Sequence, residues 1–231
     1  MSQQRGLLKK IKRQLLQRKI FYTVYNKVTG NTIAGRIKTD LRIPQVKLRL
    51  ENIKNLKTLL DREVLLEHLP KNSIVAEIGV DRGEFSDLIL QLTSPQKLHL
   101  IDAWQGGKYH GELQALVERK FESQLQQNAV VLNVGLSTDV LATMADSYFD
   151  WVYLDTDHSY SVTKQELDIL KFKVKPGGII AGHDYISYDF IGHTRYGVIE
   201  AVNEFCVNEQ WEIIYLTAET NQYRSFAIRK I

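Results

Sequence analysis

The sequence predicts a doubly wound α/β domain: a mostly parallel sheet with helices on both faces, closed by an antiparallel C-terminal hairpin. Two observations carry this. From Ser73 onward, short apolar runs alternate with helical stretches, the pattern of a parallel sheet whose crossovers are helices. The last two runs, Trp211–Leu216 and Ser225–Arg229, are separated by eight residues without helical character. That length suits a hairpin and is too short for a parallel crossover.

Taken in order, residues 6–22 place Leu7, Leu8, Ile11, Leu15 and Tyr22 near one helical face, with Lys9, Lys10, Lys12, Arg13, Arg18 and Lys19 over much of the rest. Residues 30–44 read as a loop or short strand stopped by Pro44. Residues 52–68 read as one helix with Leu56, Leu59, Leu60, Leu65 and Leu66 as its apolar set, ended by Pro70. Seven strands follow, at 74–78, 97–101, 130–134, 151–154, 178–181, 211–216 and 225–229. Helices are expected at 84–92, 112–127, 137–144, 161–172 and 198–206. The stretch 185–197 is left as a loop containing Tyr185, Tyr188, Phe190, His193, Arg195 and Tyr196. The stretch 103–111 is a second, with Trp104, Tyr109 and His110. Loops this long are usually functional, and their aromatics suit coverage of a sugar or aromatic ring.

Charge divides the chain. Residues 1–60 hold 15 Lys and Arg against two acids, a net of +13, while 61–231 hold 15 against 25, a net of −10. We therefore expect a basic helical N-terminal extension, 1–60, and a separate domain, 61–231. An acidic body argues against nucleic acid as the main substrate, because phosphate backbones call for basic surfaces. The extension suits docking on its own body or on a subunit partner, as in a homo-oligomer, more than the surface of an anionic membrane, where a larger apolar face is usual. One cysteine, Cys206, excludes a disulfide framework and a multi-cysteine zinc site. No run reaches the ~20 apolar residues that cross a bilayer, and the expected location is cytoplasmic.

In such sheets ligands bind outside the carboxyl ends of the strands. The first of the seven strands runs into Glu77-Ile78-Gly79-Val80-Asp81-Arg82-Gly83, where the glycines permit a tight turn and close approach of a ligand. The second ends in Asp102, spaced to hold ribose hydroxyls. A nicotinamide site prefers G-x-G-x-x-G, whose glycines seat a pyrophosphate on a helix N-terminus. Here the pattern is E-x-G-x-x-x-G with Glu84 just beyond, and these acids suit a sulfonium and an ammonium group instead.

This motif resembles the first motif of the class I S-adenosylmethionine-dependent methyltransferases, over about residues 70–231. The resemblance implies a Rossmann-like fold and S-adenosylmethionine as cofactor. It implies cofactor-binding roles for Glu77, Gly79, Gly83, Asp102, Ser137 and Asp155, with Gly79 against the methionine moiety and the loop 135–137 bordering the adenine.

The chemistry is expected at the next two strand ends, Asp155-Thr156-Asp157-His158-Ser159-Tyr160 and Gly182-His183-Asp184-Tyr185. Neighbouring strands thus deliver carboxylates and imidazoles to one crevice. Acids there suit Mg²⁺ or Mn²⁺, and an ion would lower the pKa of a substrate hydroxyl. A histidine would instead serve as general base. The pair of motifs is similar to the macrocin-type sugar O-methyltransferases and, more distantly, to catechol O-methyltransferases. That resemblance implies Asp155 and Asp184 as metal ligands, with Asp157 a third candidate. The macrocin-type pattern has two consecutive acids where this chain has His183-Asp184, so His158, His183 and Asp184 are the catalytic candidates whether or not a metal takes part. Asp157 or Ser159 equally suits the cap of the helix that follows.

The expected function is methylation of a hydroxyl on a small molecule such as a sugar or phenol. The alternatives are a non-catalytic scaffold on the same fold and an NAD-dependent oxidoreductase.

Overall fold

The computed structural model describes residues 42–105, 112–189, 194–219 and 223–231. The chain divides into two compact units, 1–44 and 45–231. The amphipathic stretch 6–22 lies outside the described residues, as do His110, Phe190 and His193.

The second unit opens with a 3₁₀ turn at Leu50–Ile53 and strand β1, Lys57–Leu59. Helix α1, Arg62–His68, follows. The single helix expected over 52–68 is therefore corrected to a turn, a strand and a shorter helix. Asn52 explains the break: its buried side-chain amide donates to Cys206 O and Trp211 O at 3.0 and 2.8 Å, fixing a turn where the apolar spacing suggested a helix. Asp61 accepts from Val64 N at 2.9 Å and starts α1.

Beyond this point strands and helices alternate as expected. They are β2 Ile74–Ile78, α2 Glu84–Thr93, β3 Lys97–Asp102, α3 Glu112–Lys120, α4 Glu122–Gln126, β4 Val130–Val134 and α5 Ser137–Thr143. Then come β5 Phe149–Leu154, α6 Tyr160–Lys173, β6 Val174–Gly182, α7 Val198–Glu209, β9 Trp211–Thr217 and β10 Phe226–Lys230. The helix expected over 112–127 is broken at Phe121. The stretch 185–197 is not wholly irregular: β7 Tyr188–Asp189 and β8 Thr194–Arg195 pair antiparallel within it.

The strands join in the order β1-β9-β10-β6-β5-β2-β3-β4, eight rather than the expected seven. The eighth is β1, which pairs parallel with β9; three residues give no period by which sequence can tell strand from helix. The closing hairpin is antiparallel as expected, and its last strand, β10, inserts between β9 and β6, antiparallel to both.

Alternation along each strand feeds two cores. Ala76, Ile78, Val152, Leu154 and Ile180 face one side, where α5, α6 and α7 supply Leu141, Leu167 and Val202. Val75, Trp151, Tyr153 and Ala181 face the other, covered by Leu65 of α1, Ile89 of α2 and Val117 of α3. Each such large side chain contributes ~1.5–3 kcal/mol. Helices on both faces leave the carboxyl ends of the parallel strands open, and the site lies there. No helix among the described residues is long and apolar enough to cross a membrane.

Candidate functional site

The loops at those strand ends are tied into one rim by backbone hydrogen bonds. Gly135 N donates to Asp102 O, Gly79 N to Ile101 O, Asp155 N to Ile78 O and His183 N to Leu154 O, all at 2.8–3.0 Å. The loops after β4, β3, β2, β5 and β6 are thereby held in register around a crevice of about 690 Å³. Glu77, Asp81, Glu84, Asp102, Asp155 and Asp157 line it, against Arg62, Arg82 and His158. An acidic, partly enclosed crevice favours a cationic ligand.

Gly79 has φ +90°, and a Cβ there would lie 1.9 Å from Asp155 O. The glycine is required because two loops touch, before any ligand is considered. Gly79→Ala is expected to destabilise the fold by about 3 kcal/mol or more, from left-handed strain plus a backbone clash. Urea unfolding checks this, and a loss below about 1 kcal/mol would show that the loops yield. Gly83, φ +69°, caps α2 and leaves no room for a side chain beside Phe121.

Asp102 has a structural role in the loop besides its place in the crevice lining. Its carboxylate accepts from Val80 N and Asp81 N at 2.7 and 3.0 Å through Oδ2, and from Trp104 N at 2.8 Å through Oδ1. It shapes the glycine loop while still lining the crevice. Trp104, expected in a substrate loop, is buried, and its indole donates to Asp81 O at 2.9 Å, bracing the same loop.

Ser137 lines the crevice, and its hydroxyl donates to Glu166 of α6 at 2.5 Å. Thr156 donates to the same carboxylate at 2.9 and 3.0 Å. Glu166 is fully buried, and burial pushes its pKa up to about 7 against the opposing hydroxyl donors. It joins the loop after β4 to the loop after β5. A lone Glu in an amphipathic helix carries no sequence signal for that role. Glu77 is buried at the end of β2 and accepts from Ser86. Burial pushes its pKa up to about 8, with Asp155 and Asp102 adding to the rise.

Asp155, His158 and Asp184 converge beside the crevice. His158 Nε2 lies 3.0 Å from Asp155 Oδ1 and 2.9 Å from Asp184 Oδ2. His183 Nδ1 lies 3.6 Å from Asp155 Oδ2 and 3.5 Å from Asp184 Oδ1. Burial opposes the charged imidazole, but the two carboxylates outweigh it and raise His158 to about 10; His183 is raised for the same reason. Asp184 is buried, which disfavours its ionised form, yet His158 and His183 hold it well below the usual carboxylate range. His158 and Asp184 have φ +64° and +56°. Left-handed backbone at non-glycine residues is costly and gathers at functional sites. The Tyr196 ring stacks on His158 at 4.7 Å and Tyr223 on His183 at 6.3 Å.

Three ligand atoms of Asp155, His158 and Asp184 lie within 4.8 Å of one another. This mixed set fits a borderline divalent ion such as Mn²⁺ better than Mg²⁺, which prefers oxygen alone. Asp157 stands apart: its carboxylate accepts from Ser159 N at 3.2 Å. The cap of α6 is Ser159, accepting from Val162 N. Arg195, in the loop stretch 185–197, is paired with the buried Glu200.

Residues 76–185, a little under half of the chain, match a family described as "Methyltransferase domain". No curated protein sequence matches the chain. Among solved structures it is similar to the pyocyanin biosynthetic protein PhzM, with 14% identity and a TM-score of 0.57 over 74% of this chain and 55% of that one. The chain thus spans just over half of PhzM. A candidate methyltransferase from Streptococcus mutans, solved in complex with SAH, shares 17% identity and a TM-score of 0.54 over 74% and 96% of the two chains. An O-methyltransferase family protein from Burkholderia thailandensis shares 10% identity and a TM-score of 0.54 over 73% and 55%. The family match falls on the strands and loops that build the crevice, and the fold is that of S-adenosylmethionine-dependent methyltransferases.

Proposed function

We propose that the protein transfers a methyl group from S-adenosylmethionine to a hydroxyl oxygen of a small molecule, a sugar or phenol. The observation that carries this is the acidic crevice, lined at one end by Asp155 and His158, with Asp184 and His183 packed behind them. The fold likeness to a protein solved with SAH and to an O-methyltransferase family protein supports the reading.

S-adenosylmethionine supplies an electrophilic methyl group on a sulfonium, and the protein's work is to position the acceptor and take its proton. Glu77, Asp102, Gly79 and the 135–137 loop line the cofactor end. On this reading His183, which faces Asp155 and Asp184 through Nδ1 at 3.6 and 3.5 Å, receives the hydroxyl proton of an acceptor that reaches past the crevice lining. His158, between the two carboxylates, fixes their positions. Where a divalent ion takes part, Asp155, His158 and Asp184 would hold it, and it would make the acceptor hydroxyl more acidic.

The test is calorimetric titration of S-adenosylhomocysteine into cofactor-stripped protein, with Mn²⁺, with Mg²⁺ and with EDTA. Binding at micromolar affinity or tighter is expected under every condition, because Glu77 and Asp102, outside the Asp155–His158–Asp184 cluster, line the cofactor end whether or not a metal sits on that cluster. No binding under any condition would overturn the reading.

A further inference from the structure

We propose that the end of the second unit opposite the crevice docks on an anionic lipid surface, using Lys54 and Lys230 with the exposed side chains of Leu50, Ile53 and Phe172. Docking there is independent of methyl transfer and leaves the crevice facing away from the lipid. The 3₁₀ turn Leu50–Ile53, the starts of β5, β6 and β9 and the last residues of β10 build this end. Asn52 ties the turn to Cys206 O and Trp211 O, and Lys230 stands opposite Trp211 across the closing hairpin. A groove of about 610 Å³ runs between Lys54 and Lys230 over Gly177. A second, of about 290 Å³, continues from Gly177 and Lys230 to Phe172 and Trp211.

Charge at this end is basic once its ion pairs are set aside. Glu51 pairs with Arg49, Glu212 with Arg229, Asp150 with Lys175, Asp146 with Lys173 and Glu209 with Lys171. Lys54 and Lys230 are exposed, and among the described residues neither makes an ion pair or a side-chain hydrogen bond. The two ammonium groups therefore remain, on a chain whose residues 61–231 are acidic as a whole. Residues 1–41, which lead into this turn, carry ten Lys and Arg against one acid, Asp40.

The apolar side chains decide between anionic partners. Leu50 is 81% exposed, Ile231 62% and Phe172 58%. Apolar tips held out among lysines suit the boundary between headgroups and acyl chains, where the tips enter and the ammonium groups reach phosphates. A nucleic acid would use the lysines and leave these side chains in water. By sequence, residues 6–22 carry too narrow an apolar stripe to hold a membrane alone. The second unit brings an apolar set of its own.

The experiment is co-sedimentation of the full chain with vesicles of phosphatidylcholine, and of phosphatidylcholine mixed with phosphatidylserine, beside a fluorescent RNA oligonucleotide read by polarisation. Wild type is expected to bind the phosphatidylserine vesicles only, and less tightly as salt rises. Lys54→Gln with Lys230→Gln should bind them about 10–30-fold more weakly, from roughly fivefold for each lysine near an anionic surface. Leu50→Ser with Phe172→Ser should bind them about tenfold more weakly through lost apolar burial. An unchanged urea midpoint in both variants shows that the fold is intact. Full affinity in either variant would put the contact on residues 1–41 alone and overturn the assignment. Wild type that binds neither vesicle, or both equally, would overturn it too. Tighter binding to the RNA than to the vesicles would make this a nucleic-acid surface and overturn it as well.

Discussion

Asp184→Asn is expected to lower turnover by about 10²–10⁴-fold while leaving the affinity for S-adenosylhomocysteine within about twofold. The range is that of an oriented general base deprived of its partner. Asp184 is buried in the left-handed turn after β6, touching His158 at 2.9 Å and facing His183 at 3.5 Å. Its charge, together with that of Asp155, raises both imidazoles. Asparagine keeps the shape and removes the charge, so His183 loses a counter-ion that, on the proposed mechanism, would orient it and stabilise the proton it receives. Asp184 does not line the cofactor crevice, so binding there should survive. The measurement is kcat on the best acceptor from a panel of sugars and phenols, beside calorimetry with S-adenosylhomocysteine. Near-normal kcat would show that proton removal does not pass through this cluster.

Much of this site was legible in the sequence because strand ends are legible. Apolar runs fix where each parallel strand stops, and the next residues must stand on the rim. Asp102, Asp155, His158, His183 and Asp184 were all placed by that logic. What the chain could not state was how those residues divide the work. His158 reaches two carboxylates only because its backbone turns through positive φ, and Asp157, one residue earlier, turns back onto Ser159 N. Alternation of motif letters carries no such information. The same limit hid β1, since three residues have no period, and it hid Glu166 and Arg62. Each of these becomes part of the site only by folding against residues far along the chain.

Glu77 links stability to function in a way that pH should expose. Its carboxyl titrates near 8 in the fold against 4.5 in an open chain, chiefly because burial disfavours the charge. Below pH 4.5 both states hold the proton and no dependence arises. Between about 4.5 and 8 the unfolded chain has lost the proton while the folded protein keeps it, so stability falls as pH rises. Above 8 the full cost is present, on the order of 5 kcal/mol as an upper bound. Glu77→Gln removes that ionisation and keeps the shape and a polar partner for Ser86. Relative to wild type it is expected to gain a few kcal/mol in urea unfolding between pH 5 and pH 8. Parallel pH traces for the two proteins would overturn the assignment of the cost to Glu77. The same variant should bind S-adenosylhomocysteine more weakly, because an ammonium group favours the ionised carboxylate that the empty fold resists. Wild-type binding at pH 7 should accordingly release a proton, measurable as a dependence of the calorimetric heat on buffer ionisation enthalpy, and Glu77→Gln should abolish that release. The cost of a buried acid would thus be offset when a cation arrives, so a stabilising substitution at this position should cost affinity.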